Sequence, residues 1–172
     1  TALEQKIKVV EQDRDEALAE LSALEAADGD EQVRRRDEEA AREFRMEVER
    51  FFASWPTDDQ RAHPLGKAVF HAEFFASMNS VAREKASQVI EKCAYLMADR
   101  TDVVDTKEAK RPEQKNKQKR EDGAVAMRAD LEQNRPQARR ILYWRLEGGN
   151  GLEFVRVANH DDMAVDLSLI HI

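Results

Sequence analysis

The sequence predicts a mainly α protein: an N-terminal helical hairpin or coiled coil, a long core helix, a basic flexible loop and a C-terminal β-hairpin. Three observations lead there. Apolar residues recur at helical spacing through the first hundred positions. Charged residues make up 37% of the chain, against about 25% in an ordinary globular domain, so much of it must face water. Near the C-terminus the apolar period changes from 3.6 to 2, and β-branched and aromatic residues gather. A length of 172 residues suits one modest domain, or a domain with an extended appendage.

Residues 1–55 read as an acidic helical hairpin or coiled coil. Leu3, Ile7, Val10, Arg14, Ala17, Leu21 and Leu24 alternate in steps of four and three, the seam of paired helices, with Glu4, Lys8, Glu11, Asp15 and Glu20 keeping the outer face wet. Such a helix buries almost nothing alone, so Leu3, Ile7, Val10, Leu21 and Leu24 are the expected association residues. Ala27-Asp28-Gly29-Asp30 is expected to interrupt it, Gly29 taking the left-handed conformation that ends a helix and Asp30 capping the next. A second helix, about Glu31 to Ser54, carries Val33, Ala40, Phe44, Val48, Phe51 and Trp55 along one side and would fold back on the first. Trp55-Pro56 should end it, because the residue before proline is pushed out of the helical region.

Residues 57–100 read as the core helix. Thr57-Asp58-Asp59-Gln60 has capping-box spacing, and a wide apolar stripe runs from Val69 through Phe70, Phe74, Phe75, Val89, Cys93 and Leu96 to about Ala98. Residues 101–122 read as a basic flexible linker: Lys107 to Arg120 holds seven bases against two acids with almost no apolar residue, too little burial to offset ordering entropy. Residues 123–166 read as a short helix, Gly123 to Asn134, and then a hairpin. Its strands, Arg140 to Leu146 and Leu152 to Val157, flank Glu147-Gly148-Gly149-Asn150-Gly151, which supplies the positive φ angles of a tight turn. The closing stretch Leu167-Ser168-Leu169-Ile170-His171-Ile172 departs from the pattern before it and is similar to the translation of a transposase mosaic-end sequencing adapter. It is therefore read as an artefact at the end of a metagenomic fragment of bacterial or phage origin.

Charge is uneven. Residues 1–60 hold 18 acids and 9 bases, and residues 61–172 hold 17 acids and 19 bases. Positive charge gathers at Lys107, Lys110, Arg111, Lys115, Lys117, Lys119 and Arg120, and at Arg140, Arg145 and Arg156 around the hairpin. With Tyr143 and Trp144 these could track a phosphate backbone and stack bases, although the overall charge of −7 opposes nonspecific attraction. The sequence has no apolar run long enough to span a membrane and no recognisable signal peptide, which places the expectation in the cytoplasm. One cysteine, Cys93, excludes an internal disulfide and a multi-cysteine zinc site, and its position in an apolar stripe reads as an inert packed thiol.

Signals for chemistry are few. His71-Ala72-Glu73 lacks the second histidine of a helical zinc site, and Gly148, Gly149 and Gly151 precede no helix that would complete a phosphate loop. Neither a metal nor a cofactor is expected. His160-Asp161-Asp162 stands beside the hairpin arginines, where imidazole and carboxylate could serve as acid and base on a ribose hydroxyl. The stretch Arg140 to Asp162, an aromatic-rich strand, a glycine turn, a strand ending near Val155-Arg156-Val157 and then a histidine with an acid, resembles the final hairpin of RelE/ParE-type bacterial toxins. That resemblance covers about 23 residues and lacks the preceding strand of those toxins; it implies a ribonuclease in which Arg145, Arg156 and His160 contact and cleave RNA. The reading preferred here is non-enzymatic: a helical oligomerisation or interaction protein, homo-oligomeric or bound to a partner helix, with nucleic-acid contact through the basic loop and hairpin. The toxin fragment and a phage or plasmid scaffold component are the alternatives.

Overall fold

A computed structural model describes residues 2–109, 119–132, 138–149 and 151–159; within the first helix, the side chains of residues 2–7, 9, 10 and 13 lie outside this description. The suspected adapter, His160 and its acids, and Lys110, Arg111, Lys115 and Lys117 also lie outside it. The fold is α+β rather than mainly α. In chain order its elements are α1 (Ala2–Ala53), α2 (Thr57–Ala62), β1 (Ala68–Phe70), α3 (Ala72–Val81), α4 (Ala86–Met97), β2 (Thr106–Glu108), β3 (Val125–Asp130), β4 (Arg140–Arg145) and β5 (Leu152–Ala158). The chain divides into two units, residues 1–39 and 40–172.

The first unit corrects the expected hairpin, because α1 is one helix of 52 residues that passes straight through Ala27-Asp28-Gly29-Asp30. Gly29 is not among the glycines with positive φ. A glycine inside a helix costs only about 1 kcal/mol, less than the run of backbone hydrogen bonds lost by breaking the helix there. Side chains along the surface help: Gln32 Nε2 donates to Asp28 at 2.8 Å, Glu31 pairs with Arg34 and Arg35, and Arg34 pairs with Glu38.

In the second unit, Phe44 and Val48 of α1 are buried and Phe51 and Trp55 pack beside them, so the spacing of the apolar positions does mark the inward side. The helix ends at Ala53, ahead of Pro56. Thr57 does not cap α2; Gln60 turns back instead, its Nε2 donating to the Trp55 carbonyl at 2.7 Å and closing the end of α1.

The expected core helix over 57–100 is four pieces. After Pro64 the chain is extended, and β1 enters a sheet before α3 begins at Ala72. A single 3₁₀ turn at Arg83–Lys85 then separates α3 from α4, tied down by the Lys85–Glu132 pair at 3.3 Å and by Arg139 on Glu84. The apolar rhythm survives both interruptions, which is why periodicity alone does not show them. Ser77, buried in α3, donates to the Phe74 carbonyl and accepts from the Val157 backbone N–H, both at 2.9 Å, and so pins α3 to β5.

The hairpin is two strands of five. The sheet order is β1-β5-β4-β3-β2, with β1 parallel to β5 and the other pairs antiparallel, and a bulge falls between Leu142 and Tyr143. The helix expected at Gly123 to Asn134 is a strand over Val125–Asp130: Met127 and Ala129 face the core while Arg128 alternates to the other side. The expected flexible linker contributes an edge strand, because the backbone of Thr106–Glu108 pairs with that of Met127–Ala129. Farther along, Lys119 forms a bridge with Val125.

Helices α3, α4 and the end of α1 cover one face of the sheet, where Phe44, Phe74, Val89, Met127, Ile141 and Phe154 form the main core. On the opposite face Leu142, Trp144, Ala126 and Val155 form a second apolar cluster. Cys93 lies in the main core, fully enclosed, and burial pushes its thiol well above the ordinary value, so no thiolate is present at neutral pH. The native protein should therefore fail to react with a thiol-selective disulfide reagent and react with one equivalent after denaturation in guanidinium; fast native reaction would contradict this packing.

Candidate functional site

Two surfaces carry the residues that the sequence singles out, and they differ in character. The first is on α1. Leu18, Leu21 and Leu24 are 57%, 53% and 63% exposed, and Val33 is 50% exposed. Among the described side chains of residues 8–39 none is buried. The side chains of Leu3, Ile7 and Val10 lie outside the described residues. The helix is saturated with local ion pairs while its leucines remain in water, an unusual distribution for large aliphatic groups that each gain about 1.5–3 kcal/mol on full burial.

The second surface is the sheet face away from the helices. Register sets Lys107 opposite Arg128, Arg128 opposite Leu142 and Leu142 opposite Arg156, so three bases share one row across four strands. Arg140 occupies the neighbouring row, nearly buried, its Nε donating to Asp130 at 2.9 Å. Lys107 pairs with Asp105 at 2.7 Å.

Arg120 crosses the same face. Its guanidinium grips Glu153 with two hydrogen bonds of 2.6 and 3.1 Å, reaches Asp122 at 2.6 Å, and lies 5.4 Å from the Trp144 ring centre. Asp122 falls to about 2, chiefly through that guanidinium and secondly through the Ala124 N–H. Glu153 is also held below the usual carboxylate range, Arg120 outweighing the burial that opposes it. His71, at the start of α3, places Nε2 3.6 Å from the same carboxylate. The segment carrying Arg120 is thus clamped to β5, and its charge is largely spent within the protein.

The sequence reading did not single out Glu153 or Asp122, because the Arg120–Glu153 contact joins segments 33 residues apart, which periodicity does not reveal. Arg145 stands apart from the other bases. It continues the face of Ile141 and Tyr143, whereas Arg156 opposes Leu142 on the other face. The two arginines do not converge, and His160 lies outside the described residues, so the geometry on which a toxin-like cleavage site depends is not formed by Arg145 and Arg156. Among the described residues no cluster of three His, Cys, Asp or Glu side chains could hold a metal, and no helix is long and apolar enough to cross a membrane. In comparisons with known proteins the chain matches no family model, no curated protein and no solved structure.

Proposed function

We propose that this is a non-enzymatic association protein whose α1 pairs with a second copy of itself along the stripe that includes Leu21 and Leu24. The observation that carries the reading is the exposure of Leu18, Leu21 and Leu24 on a continuous helix. Packing helix on helix would remove those side chains from water, and alternating steps of four and three are the spacing at which two helices keep one seam in register. The positions flanking that seam are Glu4, Glu11, Leu18 and Glu25 on one side and Lys6, Asp13 and Glu20 on the other, mostly acids. In a self-paired helix these acids oppose one another, and their repulsion is screened over about 10 Å at 0.1 M salt, so association tightens as salt rises.

Sedimentation equilibrium over a range of concentrations tests this. The wild type should form a reversible oligomer that is stronger at high salt. The double variant Leu21→Asp, Leu24→Asp should be monomeric while keeping the thermal transition of the 40–172 unit. A wild type that remains monomeric at every concentration and salt would end the proposal.

Nucleic-acid contact is a second reading, favoured by the row of Lys107, Arg128 and Arg156 on one sheet face. It has the opposite salt signature, because each phosphate contact releases counterions. Retention of RNA or DNA that falls steeply with salt and weakens in Lys107→Gln, Lys119→Gln would support it, and salt-independent retention would count against it.

A further inference from the structure

At the end of the sheet bearing the β4–β5 turn there is a cavity of about 230 Å³ walled by residues near the end of α4, the approach to β1, and the start of β5. Its charged lining is Lys67, Asp99 and Arg145, and Leu96, Met97 and Leu152 supply apolar wall. Register explains why the bases meet there. Arg145 opposes Leu152, and Leu152 opposes Ala68, so Arg145 and Lys67 flank the same end of β5. The backbones are close, Leu152 N donating to the Lys67 carbonyl at 3.1 Å. A Cβ on Gly151 would lie 3.1 Å from that same carbonyl and its φ is +146°, so glycine is what lets the two segments come together.

Three observations bear on the cavity. Among the described residues neither Lys67 nor Arg145 makes an ion pair, which is also true of Arg83 and Lys92, but Lys67 and Arg145 line one cavity together. Tyr143, two residues before Arg145 on the same strand face, is 2% exposed; among the described residues its hydroxyl makes no hydrogen bond of good geometry, and the Arg145 side chain is the charged group that acts on it most directly. Asp99 closes α4 in the left-handed region at φ 51°, where Asp99 N bonds to the Leu96 carbonyl and Arg100 N to that of Tyr95. Glycine fills such a helix end with least strain, and here a carboxylate stands at the cavity wall instead.

We propose that this cavity binds a small hydroxylated phosphate ester, with the phosphate between Lys67 and Arg145 and a sugar hydroxyl donating to Asp99. Two cations on opposite sides suit a phosphate, the guanidinium offering a planar pair of donors and the ammonium a point charge. One acid beside them repels a bare anion and accepts a hydroxyl hydrogen, which selects a molecule carrying both groups. The volume is below the roughly 300–1,000 Å³ of sites for drug-sized ligands, so a sugar phosphate fits and a dinucleotide does not. A free sugar phosphate and the ribose-phosphate unit of an RNA strand present the same groups. This proposal is independent of the helix-pairing reading.

Amide chemical-shift titration of the full chain tests it with ribose 5-phosphate, ribose, inorganic phosphate and a short single-stranded RNA. Ribose 5-phosphate should give saturable shifts at Gly66, Lys67, Gly151 and Leu152, and ribose none. Lys67→Gln and Arg145→Gln, both at exposed positions, should each weaken binding about tenfold or more with the thermal transition unchanged, the size expected for losing one charge-assisted contact. Asp99→Asn should weaken ribose 5-phosphate and leave inorganic phosphate unaffected or tighter. RNA that shifts the same amides and competes with ribose 5-phosphate identifies the strand as the source, and RNA that does not compete identifies the free ester. Absence of saturable shifts, or binding undiminished in the Lys67→Gln, Arg145→Gln double variant, overturns the proposal. Inorganic phosphate binding as tightly as the ester overturns the role of Asp99.

Discussion

Phe154→Ala should destabilise the protein by about 3–5 kcal/mol, the range for removing a large aromatic from a closed core. Phe154 is fully buried in β5 and stacks on Phe70 with ring centres 5.0 Å apart and planes 9° apart, with Phe74 at 5.9 Å and Tyr143 at 5.8 Å. It therefore joins β1, α3 and β4 at one point, and the cavity left by alanine is walled by two hydrogen-bonded strands and a helix that cannot collapse into it. Thermal unfolding of the main transition should fall by roughly 6–20 °C, taking 2–4 °C per kcal/mol at this chain length. A fall of only a degree or two would mean that the sheet and helices are not held by this contact. Phe154→Leu, which keeps most of the volume, should recover much of the loss.

Arg120→Met should cost roughly 2–3 kcal/mol at neutral pH, less than the figure for a fully buried pair because the guanidinium keeps some exposure. The substitution keeps an apolar stem near Trp144 but strands Glu153, which is only 13% exposed, with His71 as its remaining described neighbour. The effect must depend on pH. Asp122 and Glu153 both titrate lower in the folded protein than in the unfolded chain, so the stabilisation they bring through Arg120 is complete above the ordinary carboxylate range and is lost as pH falls. The window runs from about 4 down to the Asp122 value of about 2. Urea denaturation at neutral pH and again at about pH 3 should show the gap between wild type and Arg120→Met closing on acidification. An equal gap at both pH values would mean that the guanidinium stabilises by packing alone.

How much of this was legible beforehand depended on which interaction builds each element. The strands Arg140–Arg145 and Leu152–Ala158 were readable because Ile141, Leu142, Tyr143 and Trp144 are strand formers and a glycine cluster separates them from their partner. The inward side of α1 near Phe44 and Val48 and the enclosure of Cys93 followed from helical spacing. Strand β3 was not readable: Ala126, Met127, Arg128 and Ala129 are strong helix formers, and only their pairing with β4 overrides that preference. Strands β1 and β2 are three residues each and exist through backbone hydrogen bonds to neighbours distant in sequence, which no local pattern encodes. The supposed hairpin at Gly29 failed for the converse reason, a local break signal with no contact to reward the turn. At the candidate sites the residue types were visible and their grouping was not. Arg145 and Arg156 look like neighbours along the chain yet sit on opposite faces, and Lys67 was invisible until β1 aligned with β5.

That parallel pairing of β1 with β5 sets an order of events during synthesis. Ala68–Phe70 bonds to Leu152–Phe154, so β1 must wait for more than eighty further residues before its partner strand β5 exists. Until then Phe70 and Phe74 lack Phe154, on which both rings pack, and contacts so far apart in sequence close slowly. The nascent chain therefore carries these apolar side chains unpaired while more than eighty residues are added, and its yield should respond to chaperone supply and to elongation rate more than its final stability would indicate.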